Sequence, residues 1–168
     1  MYYLKNNRGF TLIELLLYTV IAAGLLLSIT AMIALLSQSR IKNQTISTVE
    51  QQGTQILQII NQEIRNSSIV ISPANGVSGT TLQLQDINGK NTTFNLSSST
   101  LNETKLNQTT PISSNNIIVS NLKFLNLTPD NIHNSIKINF TLNYNNIASR
   151  IEYNYSQTFY DTATLRQP

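Results

Sequence analysis

Arg8-Gly9-Phe10-Thr11-Leu12-Ile13-Glu14 opens the stretch that decides how this chain is built, and LLLYTVIAAGLLLSITAMIALL, residues 15–36, completes it. After Glu14 the next charged residue is Arg40. The 22 residues from Leu15 to Leu36 would make an α-helix about 33 Å long. A bilayer's hydrocarbon core is about 30 Å thick, so the run is long enough to span it. A core helix of a small soluble domain normally keeps a polar face. Here only Tyr18, Thr19, Ser28 and Thr30 interrupt the apolar run. The reading is therefore a membrane-spanning helix. Lys5 and Arg8 precede it with no acid beside them, which predicts a cytoplasmic N-terminus and an extracytoplasmic C-terminal part; Arg40 and Lys42 oppose this weakly.

A secretory signal is the first alternative. The run is longer than the usual apolar region of such a signal, and no A-x-A cleavage site follows it. Glu14 also stands at its start, where a plain anchor has no use for a carboxylate. An acid held in a membrane helix is costly and needs a partner, which makes Glu14 a candidate functional residue rather than a solvated one at the membrane edge.

The small residue Gly9, then Phe10, a four-residue interval, Glu14 and the spanning run, all behind a short basic leader, resemble the class III signal of type IV pilins and pseudopilins. The resemblance implies cleavage by a prepilin peptidase between Gly9 and Phe10, and N-methylation of Phe10. It also implies that Glu14 faces the new amine of Phe10 on a neighbouring subunit during assembly. The chain then reads as a leader (1–9), a transmembrane helix (10–39), an amphipathic continuation of that helix (40–66) and an extracytoplasmic β-rich head (67–168). Many major pilins carry a proline partway down this helix. This chain has none before Pro73, which leans toward a pseudopilin or minor subunit and leaves Gly24 as the soft point.

Charge and composition narrow the function classes. The formal charge is +3, from 11 basic and 8 acidic residues. Removing residues 1–9 takes away Lys5 and Arg8 and leaves a charge of +1. The remaining Lys and Arg are scattered, with no basic stripe, which argues against a nucleic-acid partner. The chain has no cysteine, so disulfide-stapled folds and thiolate metal sites are excluded. Asparagine, serine, threonine and glutamine dominate the remainder, and the many Asn-x-Ser/Thr triplets follow from that composition.

Past the span, Ile46, Val49, Gly53, Ile56, Ile60 and Ile64 recur at helical spacing with Leu57 beside them, and Gln51, Gln55, Gln58 and Gln62 take the other side. This stripe predicts packing of the helix on its own domain rather than a coiled-coil seam. Gly53 marks a bend or a close contact. The helix should end near Asn66-Ser67-Ser68, with Pro73, Asn75-Gly76 and Gly79 in a loop. The period then becomes two. Leu82 and Leu84 alternate, Asn88-Gly89 is a hairpin signal, and Phe94 and Leu96 alternate on the return. Residues 97–116 read mostly as loop. Ile117–Leu127 reads as a strand whose apolar parity shifts between Phe124 and Leu125, suggesting a bulge there. Ile136, Ile138, Phe140, Leu142 and Tyr144 make the clearest strand, with Lys137, Asn139, Thr141 and Asn143 on its other face. Asn145-Asn146 turns, and Ile151, Tyr153, Tyr155 and Phe159 form a last strand.

The fold class is therefore α+β: a long N-terminal helix packed on an antiparallel sheet whose apolar face it covers. The pilin resemblance implies the same architecture. The whole chain further resembles the J-type minor pseudopilins and related minor pilins, on LQIINQEIRN (57–66), NLKF (121–124) and Thr164-Leu165-Arg166.

No catalytic constellation is visible, and no cofactor is implied. His133 is the only histidine, placed in a loop with no second histidine or cysteine to complete a metal or nucleophile site. Asp86-Ile87-Asn88-Gly89 lacks the spaced acids of a calcium loop. Glu63, Glu152 and Asp161 are far apart in sequence, and nothing in their spacing brings them together. The expected function is structural: a minor pilin or pseudopilin of a type IV pilus, type II secretion or competence-like filament. Its partners would be the prepilin peptidase, other pilins, the inner-membrane assembly platform and membrane lipid. The alternatives are a filament-tip binding subunit, for adhesion or DNA uptake, with outward-facing tyrosines or the polar loop 97–116 as its surface, and a plain membrane-anchored domain.

Overall fold

The structure, a computed structural model, describes residues 9–127, 135–147 and 149–165; Lys5, Arg8, His133 and Arg166 lie outside them. One α-helix, α1, runs from Leu12 to Asn66. The chain divides into two compact units at Arg40 and Ile41.

In the first unit α1 starts at a defined cap. The Glu14 N–H donates to the Thr11 hydroxyl at 3.3 Å and to its carbonyl at 3.1 Å, and the Leu15 N–H reaches the same carbonyl at 3.1 Å. Thr11 thus satisfies donors that the first turn would leave open. Among Gly9–Arg40 every residue is exposed except Glu14, which is half-buried. The apolar surface is open on all sides of the helix, which is long and apolar enough to cross a membrane. Its hydroxyls do not oppose that. Thr19 bonds the Leu16 carbonyl at 2.8 Å, Ser28 that of Gly24 at 3.0 Å and Ser37 that of Ile33 at 2.9 Å. A hydroxyl bonded to its own helix adds little cost in lipid.

In the second unit the remainder of α1 buries one stripe: Thr45, Val49, Gly53, Ile56, Ile60 and Ile64. Thr45 replaces the expected Ile46, and its hydroxyl is absorbed by the Ile41 carbonyl at 3.0 Å. The helix ends where predicted. There the Ser67 hydroxyl bonds the Glu63 carbonyl at 2.7 Å, occupying a last-turn acceptor.

The sheet differs from expectation in being two. β1 (Ser67–Ser72), β3 (Leu82–Asp86), β4 (Asn91–Ser97), β5 (Thr100–Lys105) and β6 (Gln108–Pro111) form one antiparallel sheet in the order β1-β3-β4-β5-β6. β2 (Ser78–Gly79), β7 (Ile117–Asn126), β8 (Ser135–Tyr144) and β9 (Ser156–Thr164) form the other, in the order β2-β7-β8-β9. Their buried side chains join the helix stripe in a single core, with Leu84, Phe94 and Leu101 from the first sheet and Phe124, Ile138 and Phe140 from the second.

Three local expectations are corrected. The polar stretch 97–116 is not mainly loop: β5 and β6 lie within it, turned by Ser98-Ser99 and Leu106-Asn107, all at positive φ. These are the left-handed positions that hairpins usually fill with glycine, so neither the turns nor their polar strands carry a sequence signal. β1 fills the residues between the helix end and Pro73, to which the sequence reading assigns no strand, and Gly79, expected in the loop, belongs to β2. The parity shift in β7 is real but lies earlier. The register breaks between Ser120 and Lys123, with Asn121 at φ 54°. Val119 and Leu122 are then both buried, Leu125 turns outward, and Asn126 takes the next inward place. Asn126 is tolerated there because its amide donates to the Pro73 carbonyl at 3.0 Å and to Asn75 Oδ1 at 3.1 Å.

The last strand also starts later than expected. Ile151–Tyr153 is a turn of 3-10 helix in the β8–β9 loop, Ile151 is exposed, and β9 begins at Ser156. The Asn88-Gly89 hairpin is present, with Gly89 at φ 78°, but its loop is Ile87–Lys90. Asp86 Oδ1 accepts the N–H of Asn88 at 2.9 Å and of Lys90 at 2.7 Å, so this carboxylate is committed to the turn.

Gly53 marks a close contact. A Cβ there would collide with the tip of the Phe159 ring. That ring is stacked on Phe140 at 5.5 Å and 21°, so it has little freedom to withdraw. On an open helix surface, Gly53→Ala would add about 1 kcal/mol of helix stability. Here overpacking of about 1–3 kcal/mol should win. The full chain in detergent is expected to unfold at lower denaturant when it carries Gly53→Ala, and a rise in the midpoint would contradict the packing described.

Candidate functional site

The sequence singles out Gly9, Phe10 and Glu14, and the structure places the last two on one side of the α1 N-terminus. Thr11 is the N-cap, so Glu14 is the third residue of the helix, where the partial positive charge of the helix end favours a carboxylate. Thr11-Leu12-Ile13-Glu14 also has the spacing of a capping box. Only half of it is made: Thr11 accepts the Glu14 N–H, while the Glu14 side chain turns the other way. Its Oε1 accepts the Tyr18 hydroxyl at 3.4 Å. The Tyr18 ring in turn meets Phe10 edge to face, with centroids 6.2 Å apart and planes at 77°. In the sequence Tyr18 is a mere interruption of an apolar run. The one signal that points to it is its place one helical turn after Glu14.

Gly9 has nothing within 4 Å of where its side chain would be. The backbone at the Gly9–Phe10 junction precedes the helix, so the junction is an accessible, non-helical peptide bond.

Glu63, Glu152 and Asp161 go to separate partners. Glu63 meets Lys105 Nζ at 2.8 Å, and Glu103 meets the same ammonium at 3.0 Å. Asp161 Oδ2 accepts the Asn61 amide at 2.6 Å. Glu152 pairs with Arg150 at 3.3 Å. Its own backbone N–H and then Arg150 hold its carboxyl below the ordinary range. Among the described residues no group of three or more acidic or imidazole side chains could hold a metal ion.

The tyrosines make a half-buried cluster with one outward member. Tyr144 and Tyr153 stack at 5.5 Å, and the Arg150 guanidinium covers the Tyr153 ring at 5.8 Å. Tyr155 donates to Glu50 Oε1 at 3.5 Å. Desolvation, and then the Glu50 charge, raise its pKa. Tyr160 is exposed on β9. β9 is an edge strand. The Tyr144 N–H donates to the Tyr155 carbonyl, so by alternation Ser156, Thr158, Tyr160, Thr162 and Thr164 turn their backbone groups to the open edge. One of these donors is already taken: the Thr162 N–H bonds Asp161 Oδ1 at 2.7 Å. That blunts an edge otherwise open to another strand.

No family model, curated protein or solved structure matches the chain.

Lys105 ties the helix end to β5, and its pH dependence follows from its surroundings. Partial burial lowers its pKa, but hydrogen bonds to Glu63 and Glu103, with their charges, outweigh this and raise it overall. A group whose folded pKa is raised stabilises fully below its unfolded pKa, about 10.4 for lysine, and loses that contribution as pH climbs through the folded value. Lys105→Met should therefore melt below the parent at neutral pH. Thermal unfolding of both chains from neutral pH to about pH 11.5, above the ordinary lysine range, checks this. The gap should narrow only at the alkaline end of the series.

Proposed function

We propose that this chain is a pilin-like structural subunit, of the minor pilin or pseudopilin kind, that is cut after Gly9 by a prepilin peptidase and packed through its apolar helix into a filament. One observation carries the reading. A helical surface open on all sides and apolar from Leu15 to Leu36 bears a single half-buried carboxylate, Glu14, one turn from an accessible Gly9–Phe10 bond. A plain anchor needs the first feature and is burdened by the second.

The chemistry that reconciles them is pairing. Cleavage frees an ammonium on Phe10 beside the apolar layer. In a low-dielectric setting a carboxylate and an ammonium attract strongly, and each offsets part of the desolvation of the other. Such a pair acts chiefly as a register device, since a subunit displaced along the filament axis leaves a buried charge unpaired. The exposed helical surface would be covered by the equivalent helices of neighbouring subunits. The head, with its own complete core, would face outward from the bundle. Lys5 and Arg8 support a cytoplasmic N-terminus and an extracytoplasmic head before assembly. The partners this implies are the peptidase, other pilins and the assembly platform of the inner membrane. Phe10 would be the methylated residue.

The full chain expressed with and without a prepilin peptidase tests this directly through intact mass and N-terminal sequence. With the peptidase the mature chain is expected to begin at methylated Phe10, and without it at Met1. Retention of Met1 in both cases, or a cut beyond the apolar run, would overturn the reading. Glu14→Ala should leave cleavage intact and lower recovery of the processed chain in sheared filaments about a hundredfold, as expected when one member of a buried ion pair is lost.

A further inference from the structure

We infer that Tyr18 is a positioning residue for Glu14: in the lone membrane-embedded subunit its hydroxyl holds one carboxylate oxygen and leaves the other for the incoming ammonium of a neighbour. The inference rests on the filament-subunit reading above and adds to it a residue that the pilin-like motif does not contain.

Three observations converge on it. Glu14 and Tyr18 stand four residues apart on one face of α1, and Phe10, just before the helix, lies against the Tyr18 ring. Tyr18 touches both of the others, through its hydroxyl to Glu14 Oε1 at 3.4 Å and through its ring to Phe10 at 6.2 Å. Glu14 is the one half-buried residue in an otherwise exposed segment. No other hydrogen bond to the Glu14 carboxylate is made among the described residues, and Oε2 is unoccupied by any of them.

The physical need for such a group is specific to the span. A carboxylate at the start of an apolar helix has no water to replace a missing donor. It would otherwise fold back on the Thr11 N–H to complete the capping box and turn away from the face on which a neighbour must find it. A neutral phenol is suited to the task. It donates one hydrogen bond, brings no charge of its own into lipid, and packs its ring against apolar neighbours. It also leaves the negative charge uncompensated, so an ammonium still gains by arriving. The Phe10 ring limits the swing of the phenol, so the residue that yields the amine also braces the donor that orients the acid.

The test uses the full-length chain in cells carrying its own filament machinery, as parent, Tyr18→Phe, Glu14→Ala and the double variant. Two quantities are read for each: the fraction of chain cut at Phe10, and the fraction of cut chain recovered in sheared filaments. Tyr18→Phe keeps the ring and removes only the hydroxyl. It is expected to leave cutting unchanged and to lower incorporation about three- to tenfold, the range of one hydrogen bond. The double variant should fall no further than Glu14→Ala alone, because the hydroxyl acts only through that acid. Normal incorporation of Tyr18→Phe alongside a defective Glu14→Ala would overturn the role of Tyr18 and leave the filament reading standing. An added loss in the double variant would overturn it too, showing that the Tyr18 hydroxyl acts on something other than Glu14. Absence of cutting in every chain, or normal incorporation of Glu14→Ala, would bring down the filament reading itself.

Discussion

Burial of the helix stripe Val49, Gly53, Ile56, Ile60 and Ile64 is the contact on which the head depends. Each of the two sheets has an apolar face too large to leave in water and no second layer of its own. The helix supplies that layer for both, and the three apolar surfaces merge into one core. Gly53 is the narrowest point of the arrangement, where the helix backbone approaches the Phe159 ring without a side chain between. Polar ties then hold the layers at their margins. Lys105 bridges α1 and β5, Asn61 reaches Asp161 on β9, and the Gln52 side chain accepts the Ser114 N–H at 3.2 Å. These exposed or half-buried contacts add orientation more than energy.

The same helix is under the opposite constraint before Arg40. There no described residue covers it, and the apolar side chains run around its whole circumference. A surface of this kind is stable in lipid or against other helices, and costly in water. The two regimes are written in the distribution of glutamine and charge. Residues 15–36 carry none, while the second half alternates buried isoleucine with exposed glutamine. One continuous helix thus carries a segment that needs partners and a segment that has found its partner within the chain. The only acid of the first segment, Glu14, stands in its first turn, so the apolar run behind it carries no charge.

Much of this was legible in the sequence for concrete reasons. That the helix is long and apolar enough to cross a membrane is a matter of length and composition, which need no tertiary information. The helix stripe and β8 follow simple periods, and alternation alone identifies the core residues Ile136, Ile138, Phe140 and Leu142. β5 and β6 are hidden, because their side chains are mostly Thr, Asn, Glu and Lys and their pairing is carried by the backbone. The β7 bulge shows in the sequence as a break in parity, but at the wrong place, since a buried asparagine with satisfied hydrogen bonds imitates an outward-facing one. Of the candidate site, Gly9, Phe10 and Glu14 stand out as a motif. Tyr18 does not: its place one turn after Glu14 is a weak signal, and the contact shows only when its hydroxyl is seen beside the carboxylate.

By itself the sequence determined the two regimes of the helix, its end at Asn66, the antiparallel character of the head and the placing of a lone acid after a Gly-Phe junction. Those are consequences of apolar periodicity and of the cost of charge in hydrocarbon, and both are local. Only the tertiary structure decided that the strands divide into two sheets, that Gly53 receives the Phe159 ring, that Lys105 draws two glutamates together and that the Glu14 carboxylate turns to Tyr18 rather than back to its cap. Each of these is a choice among partners that local sequence leaves equally available. Such choices are settled by which groups the packed core brings within reach, or, at the helix N-terminus, by which rotamer brings the Glu14 carboxylate to the Tyr18 hydroxyl.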